Sequence, residues 1–247
     1  MELKDRIIIV TGGASGIGRA TALLLAGQGA TVHIGDLDLD GAARVVEEAD
    51  GGRASAQHVD LASADSVQAF ARNVLAAGGR VDGLVNAAGF DKVGPFIKND
   101  PMLWDRLVAV NLLGAMRLTQ LVLPSMIESK AGKIVNIASD AGRVGSMGET
   151  AYAATKGGLI AFTKSLAREM ARYHINVNCV CPGPTDTPLF NAQASEGMRE
   201  ALLNAIPLRR LGQPDDIAQA VRYLIGPNAD YVTGQVLSVS GGLTMAG

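Results

Sequence analysis

The chain has 247 residues, of which 48% are hydrophobic and 4% aromatic, with 30 glycines and a formal net charge of −2. This composition is typical of a compact globule packed with aliphatic and small side chains, and it excludes a disordered or fibrous chain. Because acidic and basic residues are mixed along the sequence, we expect neither nucleic acid nor an anionic membrane as a partner.

The N-terminus lacks the basic-then-apolar pattern of a leader, and no apolar run approaches the ~20 residues of a membrane span. We therefore expect a soluble, cytoplasmic protein. Cys179 and Cys181 share one face of a predicted strand, where the geometry is poor for a disulfide, so we expect buried free thiols. Since no Cys or His cluster has a metal-binding spacing, no metal is predicted.

Short apolar runs alternate with longer helical patterns from end to end. The apolar runs predict seven strands, at 6–12, 30–36, 53–60, 81–89, 132–140, 175–183 and 234–242. The segments between them predict helices near 16–28, 40–49, 63–77, 101–127, 150–172 and 215–225, with Asp38 or Asp40, Ser63 and Asp215 as N-caps. This alternation predicts one doubly wound α/β domain over residues 1–247, whose seven-stranded parallel sheet carries helices on both faces.

One segment interrupts this alternation. Residues 187–207, between the sixth strand and the last helix, are mixed in character, with Gly and Pro inside or at the edges. Because long segments beyond the carboxyl end of a strand often carry function, we expect a small lid over a site. The alternative is that this segment is an ordinary surface insertion without a functional role.

The first strand leads into the sequence TGGASGIG, which opens the first helix. Its glycines allow a tight turn and a close approach of the backbone to a pyrophosphate, and the helix N-terminus favours an anion. The spacing G-x-x-x-G-x-G differs from the G-x-G-x-x-G fingerprint, but the loop lies where this kind of sheet binds nucleotides. The expected cofactor contacts in this loop are Gly12, Ser15, Gly16, Ile17 and Gly18.

The second strand ends at Asp36, about twenty residues beyond the glycine loop. A carboxylate at this place can accept hydrogen bonds from the adenosine ribose and would repel a 2′-phosphate. Neither Ser15 nor Leu37 offers a cation that could bind this phosphate. The sequence therefore predicts NAD rather than NADP as the cofactor, with helix capping as the alternative role for Asp36.

A serine, a tyrosine and a lysine lie at fixed intervals in the second half of the chain, at Ser139, Tyr152 and Lys156. Tyr152 and Lys156 are four residues apart on a predicted helix, so their side chains share one face. A phenol is a poor base at neutral pH unless a nearby cation favours the phenolate, so the pair could form an activated acid/base. Coincidental pairing on a helix surface is the alternative.

Further motifs accompany these residues: NAAG at 86–89, NLLG at 111–114, YAATK at 152–156, PGPTDT at 182–187 and the closing TGQVLSVSGG. Over essentially its whole length the sequence thereby resembles the short-chain dehydrogenase/reductase family. Two positions depart from the family pattern, because Ala87 replaces the second asparagine before Ala-Gly and Ser240 replaces the aspartate of Asp-Gly-Gly. The resemblance implies a single Rossmann-type domain and an active NAD-dependent dehydrogenase.

The resemblance also implies a role for each catalytic position. Tyr152 would exchange a proton with the alcohol or carbonyl oxygen, and Lys156 would lower the pKa of the phenol and hold the ribose hydroxyls. Ser139 would hydrogen-bond the substrate oxygen, and Asn111, in the fourth helix, would hold a water molecule linking Lys156 to solvent. The further cofactor contacts it implies, besides Asp36 and Leu37, are Asp60, Leu61, Asn86, Ala87, Ala88, Gly89, Pro182, Thr185 and Thr187.

The second half is similar to the bacterial 2-hydroxycyclohexanecarboxyl-CoA dehydrogenases, in NIASDAGRVGSMGE, NVNCVCPGPTDTPL and GQVLSVSGGLTMAG. This likeness implies NAD-dependent oxidation of an alicyclic 2-hydroxyacyl-CoA. Arg143, in the loop after Ser139, would then lie near the thioester, and Arg209, after the lid, near the CoA phosphates. An ordinary ion pair with Glu149 or Asp140 is the alternative for Arg143.

Two other functions remain open. One is an NAD-dependent dehydrogenase of another secondary alcohol, either a cyclic alcohol without CoA or a 3-hydroxyacyl thioester. The other is a non-catalytic protein that senses NAD; such proteins typically lose catalytic residues, whereas all four are present here.

The helical segments 101–127 and 150–172 are apolar on more than the single stripe that packing on a sheet requires. On the second segment, Ala151, Ala154, Gly158 and Phe162 leave room for the close approach of another helix. Because the family resemblance implies pairing of these two helices between subunits, we expect a homotetramer with two-fold symmetry.

Overall fold

The first strand, β1 (Ile7–Thr11), lies inside the sheet and has other strands on both sides. Four of its five residues are buried, as expected for an isoleucine-rich strand covered on both faces. β1 pairs in parallel with β2 (Thr31–Asp36) on one side and with β4 (Gly83–Asn86) on the other. The strand order reverses between β1 and β4, so the connections that follow these two strands leave in opposite directions. This leaves a crevice at the carboxyl ends of β1 and β4, where sheets of this kind bind ligands.

The computed structural model describes residues 2–49 and 53–245. The sheet continues with β3 (Ala54–His58) beyond β2, and with β5 (Gly132–Ile137), β6 (Ile175–Pro182) and β7 (Val236–Val239) beyond β4. All neighbours are parallel and the strand order is β3-β2-β1-β4-β5-β6-β7. The predicted seven-stranded parallel sheet is confirmed.

Helices cover both faces of this sheet, as predicted. In chain order they are α1 (Gly16–Gly27), α2 (Leu39–Glu48), α3 (Ala64–Gly78), α4 (Pro101–Val108), α5 (Ala115–Ser129), α6 (Ala141–Val144), α7 (Thr150–Met170), α8 (Pro188–Asn191), α9 (Glu196–Ala205) and α10 (Pro214–Ile225). α1, α2 and α10 share the core cluster on one face, and α3, α5 and α7 share the cluster on the other. The site must therefore lie at an end of the sheet, because its faces are filled.

Two of the predicted N-caps are confirmed and one is wrong. The side chains of Asp38 and Ser63 each accept a hydrogen bond from a backbone N–H three residues further on. Asp215 instead lies inside the first turn of α10, and Gln213 is the N-cap. The reason is that Pro214, which fits the first helical position without needing a donor, starts the helix one residue earlier.

The segment predicted as one helix over 101–127 is interrupted. Between α4 and α5 the chain forms a π-helical stretch, Ala109–Gly114, which contains Asn111. Such stretches are rare and are frequently found at functional sites. The whole run Pro101–Ser129 contains an 18-residue window of mean hydropathy 1.5. By length and composition alone this helix could span a membrane, although 39% of that window is buried inside the fold.

The segment 187–207 forms two short helices, α8 and α9, at the carboxyl end of the sheet. Thr187 and Ser195 cap them by accepting hydrogen bonds from the backbone N–H groups of Phe190 and Met198. The two helices lie over the cavity described below, at the place where the lid was predicted.

The two cysteines follow each other on one face of β6, and both are fully buried. Their Sγ atoms are 4.0 Å apart, and neither forms a disulfide. The prediction of buried free thiols is confirmed.

Candidate active site

A cavity of about 1480 Å³ opens at the carboxyl ends of β1, β2, β4, β5 and β6. Pockets for single small ligands typically measure roughly 300–1,000 Å³. The volume therefore leaves room for a dinucleotide with a second small molecule beside it.

The glycine loop forms one wall of this cavity, through Gly12, Ser15, Gly16, Ile17 and Gly18. Gly12 has a φ of +71° and Gly16 one of +52°, which favour glycine. A Cβ at position 18 would lie 2.1 Å from the carbonyl oxygen of Gly12. Ser15, the N-cap of α1, makes no side-chain capping bond. The first N–H groups of α1 are therefore left for an anion, and the cradle fits the pyrophosphate of a dinucleotide.

Asp36 lines the cavity at the end of β2, with Leu37 beside it. Its two carboxylate oxygens accept hydrogen bonds of 2.9 Å from the backbone N–H groups of Ala14 and Asp38. These bonds fix the carboxylate next to the glycine loop and leave further lone pairs for ribose hydroxyls. Within residues 2–49 and 53–245 Asp36 forms no ion pair, so its negative charge is not neutralised by a neighbouring cation.

The expected adenosine-side residues occupy the cavity with one exception. Asp60, Leu61, Ala87, Ala88 and Gly89 line it. The Oδ1 atom of Asp60 accepts a hydrogen bond of 2.9 Å from the N–H of Ala62, which orients this carboxylate after β3.

Asn86 does not line the cavity, and its assignment as a cofactor contact is not supported. Its Nδ2 donates to Asn136 Oδ1 at 2.8 Å on the neighbouring strand and to Thr119 Oγ1 at 3.3 Å on α5. Side chains alternate between faces along a strand, and Asn86 is on the face covered by α5. The side chain therefore joins strands and a helix in the interior.

Pro182, Thr185 and Thr187 line the opposite end of the cavity, after β6. Thr185 is nearly buried, and its hydroxyl donates to the carbonyl of Gly183. A Cβ at Gly16 would lie 3.3 Å from Thr187 Cγ2, so the first residue of the lid segment lies against the glycine loop. The segment 187–207 therefore begins beside the glycine loop.

Ser139, Tyr152 and Lys156 meet on the floor of this cavity. The Ser139 hydroxyl is close enough to the Tyr152 phenol to lower its pKa. Lys156 is 2% exposed, and its Nζ donates to the carbonyl of Ile137 at 2.8 Å and lies 5.6 Å from the centre of the Tyr152 ring. Burial lowers the pKa of Lys156 to about 8.

The surroundings of the Tyr152 phenol raise its pKa above the ordinary value. Burial is the largest influence and raises the pKa of the phenol, the charges of Asp91 and Glu149 raise it further, and Ser139 lowers it. The Lys156 ammonium is turned to the carbonyl of Ile137. The phenol is therefore protonated at neutral pH and is ready to act as an acid.

Asn111 is buried in the π-helical stretch and does not line the cavity. Its side chain makes two bonds of 2.8 Å with the backbone N–H and carbonyl of Phe90, and a third of 3.3 Å with Thr155 Oγ1. A Cβ at Gly89 would lie 3.3 Å from Lys156 Nζ and 3.7 Å from Asn111 Oδ1. Asn111 thus fixes the loop after β4 close to Lys156, and only glycine at 89 leaves the space between them open.

Sequence reasoning missed two groups of cavity residues. One is the carboxyl pair Asp91 and Glu149; Glu149 could have been noticed as an acid three residues before Tyr152. The other is an apolar wall, which no motif marks, formed by Met102, Leu103, Val144, Leu189, Phe190, Met198, Leu202 and Leu243.

Neither arginine predicted to hold the substrate lines the cavity. Arg143 is on α6, and its Nη1 donates to Ser238 Oγ on β7 at 2.5 Å, because this short helix turns its side chain towards the sheet edge. Arg209 is exposed and donates to the carbonyl of Asn204 at the end of α9. Of the basic side chains other than Lys156, the cavity instead contains Lys92 and Arg106.

Comparisons with known proteins agree with this geometry. A family model described as enoyl-(acyl carrier protein) reductase matches residues 12–244. The chain is 39% identical to a 3-oxoacyl-[acyl-carrier-protein] reductase of Thermotoga maritima, over 99% of this chain and 100% of that one. It is 40% identical to the (2S)-[(R)-hydroxy(phenyl)methyl]succinyl-CoA dehydrogenase subunit BbsD of Thauera aromatica, over 99% of both.

A solved structure gives the same result. The crystal structure of levodione reductase superposes with a TM-score of 0.92, at 32% identity, over 97% of this chain and 98% of that one. With matches of this length and a serine, tyrosine and lysine meeting beside a glycine cradle, the chain belongs to the short-chain dehydrogenase/reductase family and is an oxidoreductase of the alcohol–ketone couple.

Proposed function

We propose that this protein is an NAD-dependent dehydrogenase that oxidises a secondary alcohol to a ketone, reversibly, on an acyl-CoA thioester. The observation that carries the proposal is the single cavity that holds Asp36, the glycine cradle and the Ser139–Tyr152–Lys156 group together. A binding protein that only senses NAD would not need the last group.

The residues of the cavity fit a nicotinamide dinucleotide. Gly12, Gly16 and Gly18 would hold the pyrophosphate, Asp36 the adenosine ribose, and Lys156 the other ribose. When bound, NAD supplies the acceptor for the hydride that leaves the alcohol carbon.

The protein's own part is proton transfer and orientation. The Ser139 hydroxyl, which acts on the pKa of Tyr152, would bond the substrate oxygen and place it next to the phenol. In oxidation the deprotonated Tyr152 accepts the hydroxyl proton of the alcohol; in reduction the protonated phenol donates it to the ketone oxygen. The apolar surroundings that raise the pKa of Tyr152 favour the second direction at neutral pH.

Asp36 supports NAD in preference to NADP. A 2′-phosphate would lie beside a carboxylate whose charge no ion pair within the described residues neutralises. Arg19 on α1 and Arg44 on α2 are already paired with Glu48 and Asp38. Repulsion between the two anions would therefore not be offset.

The substrate class rests on the apolar wall and on the relatives. A wall formed by α4, α6 and the lid suits a cyclic or long apolar body, and both similar proteins named above act on acyl thioesters. In 2-hydroxycyclohexanecarboxyl-CoA the hydroxyl is on the carbon next to the one that bears the thioester. It therefore has the same position relative to the thioester as the oxo group of a 3-oxoacyl substrate, and one site could hold either.

Lys92 and Arg106 are the basic residues best placed for the phosphates of CoA. Both are exposed at the cavity, and the Arg106 guanidinium lies 4.8 Å above the ring of Phe90. The CoA moiety, bound far from the reacting carbon, can then improve the orientation of the substrate at that carbon. Its removal should therefore lower kcat as well as raise KM.

Measuring kcat/KM with NAD for two substrates side by side tests whether the enzyme requires an acyl-CoA thioester. We expect a much higher kcat/KM for 2-hydroxycyclohexanecarboxyl-CoA than for cyclohexanol. Arg106→Ala should reduce kcat/KM for the thioester several-fold, about 1 kcal/mol, and leave the free alcohol unaffected, whereas the matched control Arg209→Ala should change neither. A higher kcat/KM for cyclohexanol would favour the rival function, a dehydrogenase of free cyclic alcohols, which the likeness to levodione reductase supports.

Three further properties belong to the same proposal. The enzyme is cytoplasmic, it takes small molecules rather than nucleic acid or membrane as partners, and it forms a homotetramer. Val108, Leu113 and Met116 support the tetramer, because they leave an exposed apolar strip along the run from α4 to α5. Such a strip on a helix is explained when a second copy of the chain covers it.

A further inference from the structure

Three hydrogen-bonded side chains that the proposed reaction does not use lie behind Ser139. Arg143 Nη1, on α6, donates to Ser238 Oγ on β7 at 2.5 Å, and the Ser238 hydroxyl donates in turn to Asp140 Oδ1. A guanidinium has only donors and an ionised carboxylate has only acceptors, so the direction of both bonds is fixed. We call this set of three side chains the polar bridge, because it joins α6 and the residue before it to the edge strand of the sheet.

Asp140, at one end of the polar bridge, directly follows Ser139 in the chain. It is 5% exposed and lines the cavity. It occupies the N-cap position of α6, where an aspartate commonly caps its own helix, but here the carboxylate is turned to β7. Its second oxygen, Oδ2, has no hydrogen-bond partner in the described part of the chain. Among the described residues, Ser238 is therefore the one hydrogen-bond donor to this buried carboxylate.

The backbone of Asp140 belongs to the turn that carries Ser139. The N–H of Asp140 donates to the carbonyl of Pro182 at 3.1 Å, and its carbonyl accepts from the N–H of Arg143 at 2.9 Å. The Oγ of Ser139 accepts a bond of 3.1 Å from the N–H of Ala141. Since this bond occupies a lone pair, the hydroxyl proton of Ser139 is left for another acceptor. The position of Asp140 therefore affects where Ser139 places its hydroxyl.

The short helix α6 also lies directly against α7, the helix that carries Tyr152. A Cβ at Gly142 would lie 2.7 Å from the backbone N of Gly157 and 2.7 Å from the carbonyl carbon of Lys156. A helix of four residues is not stable by itself, so its position depends on such tertiary contacts. The contact with α7 and the polar bridge to β7 together fix α6, and with it the distance between Ser139 and Tyr152.

We propose that Asp140, Ser238 and Arg143 are positioning residues, whose polar bridge holds the Ser139 turn so that the serine hydroxyl meets the oxygen of the reacting alcohol or ketone. The inference rests on the proposed role of Ser139. A donor stabilises charge on the reacting oxygen only at hydrogen-bond distance, and a misplacement of about 1 Å can cost roughly 100-fold in rate. Loss of the polar bridge therefore lowers the rate of the chemical step and leaves cofactor binding unchanged.

Ser238→Ala removes the polar bridge, whereas Ser238→Thr keeps the hydroxyl. With 2-hydroxycyclohexanecarboxyl-CoA, or with cyclohexanol under the rival function, we expect Ser238→Ala to lower the single-turnover rate of NADH formation about tenfold at unchanged NAD affinity. Ser238→Thr should restore most of this rate. Ser55→Ala is the matched control, because it removes a side-chain hydrogen bond to His33 from the opposite edge strand, outside the cavity, and should leave the rate unchanged. An unchanged rate in Ser238→Ala, or loss of its fold, would overturn the proposal.

A double-mutant cycle distinguishes the positioning of Ser139 from a general structural role of Ser238. In the Ser139→Ala background the hydroxyl that the polar bridge positions is gone, so Ser238→Ala should change the residual rate by less than about twofold. A further tenfold loss in that background would show that Ser238 acts independently of Ser139, contrary to the proposal.

Another measurement needs neither substrate nor cofactor. The Ala141 N–H, which donates to Ser139 Oγ, should exchange with solvent about tenfold faster in Ser238→Ala, as in Ser139→Ala, and at the original rate in Ser55→Ala. Equal exchange in Ser238→Ala and the unmodified protein would refute the effect of the polar bridge on the serine. Because no turnover is involved, an enzyme that oxidised no alcohol would overturn the proposed function without altering this exchange.

Discussion

At the scale of single residues, the site combines groups that recognise a cofactor with groups that move a proton. Asp36 is an anion that is fixed by two backbone bonds and has no ion pair among the described residues, and Tyr152 is a phenol whose pKa burial raises. Lys156 is fully buried and held by the Ile137 carbonyl, so it is a rigid part of the floor. The charge of Asp36 suits cofactor recognition, the retained proton of Tyr152 suits proton transfer, and the fixed position of Lys156 suits binding of a ribose.

The cofactor preference follows from Asp36 alone. We expect kcat/KM with NAD to exceed that with NADP by roughly 2–4 kcal/mol in free energy, because the carboxylate repels the 2′-phosphate. Asp36→Ala should reduce this difference in kcat/KM between NAD and NADP. Ser63→Ala is a suitable control: it removes the cap of α3, at a cost of about 1 kcal/mol of stability, without touching the cavity. Equal kcat/KM for the two cofactors in the unmodified enzyme would show that the argument is wrong.

At the scale of elements, periodicity predicted all seven strands because they are short apolar runs between polar helices. Local pattern was less informative where a helix end or interruption depends on tertiary contacts. The π-helical stretch around Asn111 is one case, since its side chain is satisfied by Phe90, which is distant in sequence. The proline start of α10 is the other, because Asp215 has the residue type of a cap but the wrong position.

Most of the site residues named by the sequence line one cavity, but Asn86, Asn111, Arg143 and Arg209 do not, because packing sets their orientation. Asn86 faces α5 instead of the cofactor side, and Arg143 faces β7. Arg209 is outside the cavity after α9. A linear motif places a residue in the chain but does not determine the direction of its side chain. The carboxyl groups of Asp91 and Glu149 in the cavity also went unnoticed, because these two residues are far apart in sequence.

The glycine loop gives a direct test at the scale of an element. Gly18→Ala would place a methyl group 2.1 Å from the Gly12 carbonyl oxygen, so the loop must move and NAD affinity should fall at least tenfold, about 1.4 kcal/mol. Gly27→Ala, at the other end of α1, is the matched control, since no atom lies within 4 Å of the added carbon. Isothermal titration with NAD distinguishes them, and equal affinities would argue against a pyrophosphate site in this loop.

At the scale of the whole molecule, the expected subunit contact is smaller on α7 than the sequence implied. Gly158 meets Leu112 of the same chain, and Phe162 packs into the core. Ala154 remains exposed, as does the apolar strip of Val108, Leu113 and Met116. The proposed tetramer would cover these residues with a second copy of the chain.

Light scattering at micromolar concentration should therefore give the mass of four copies of the 25.5 kDa chain. Met116→Asp should lower this mass, because a charge in the centre of an apolar contact is not compensated. Met147→Asp, which changes an exposed methionine elsewhere, should not. A monomer of the unmodified protein would contradict the tetramer.

The proposed reaction depends most on Tyr152, the group that exchanges the proton. The direct measurement is NADH formation by the unmodified enzyme and by Tyr152→Phe, followed by absorbance with a hydroxyacyl-CoA substrate. Phenylalanine keeps the ring packing and removes the transferable proton, so we predict nearly unchanged NAD affinity and no detectable NADH in the variant. A variant that kept a tenth or more of the rate would contradict the assignment of Tyr152 as the acid/base.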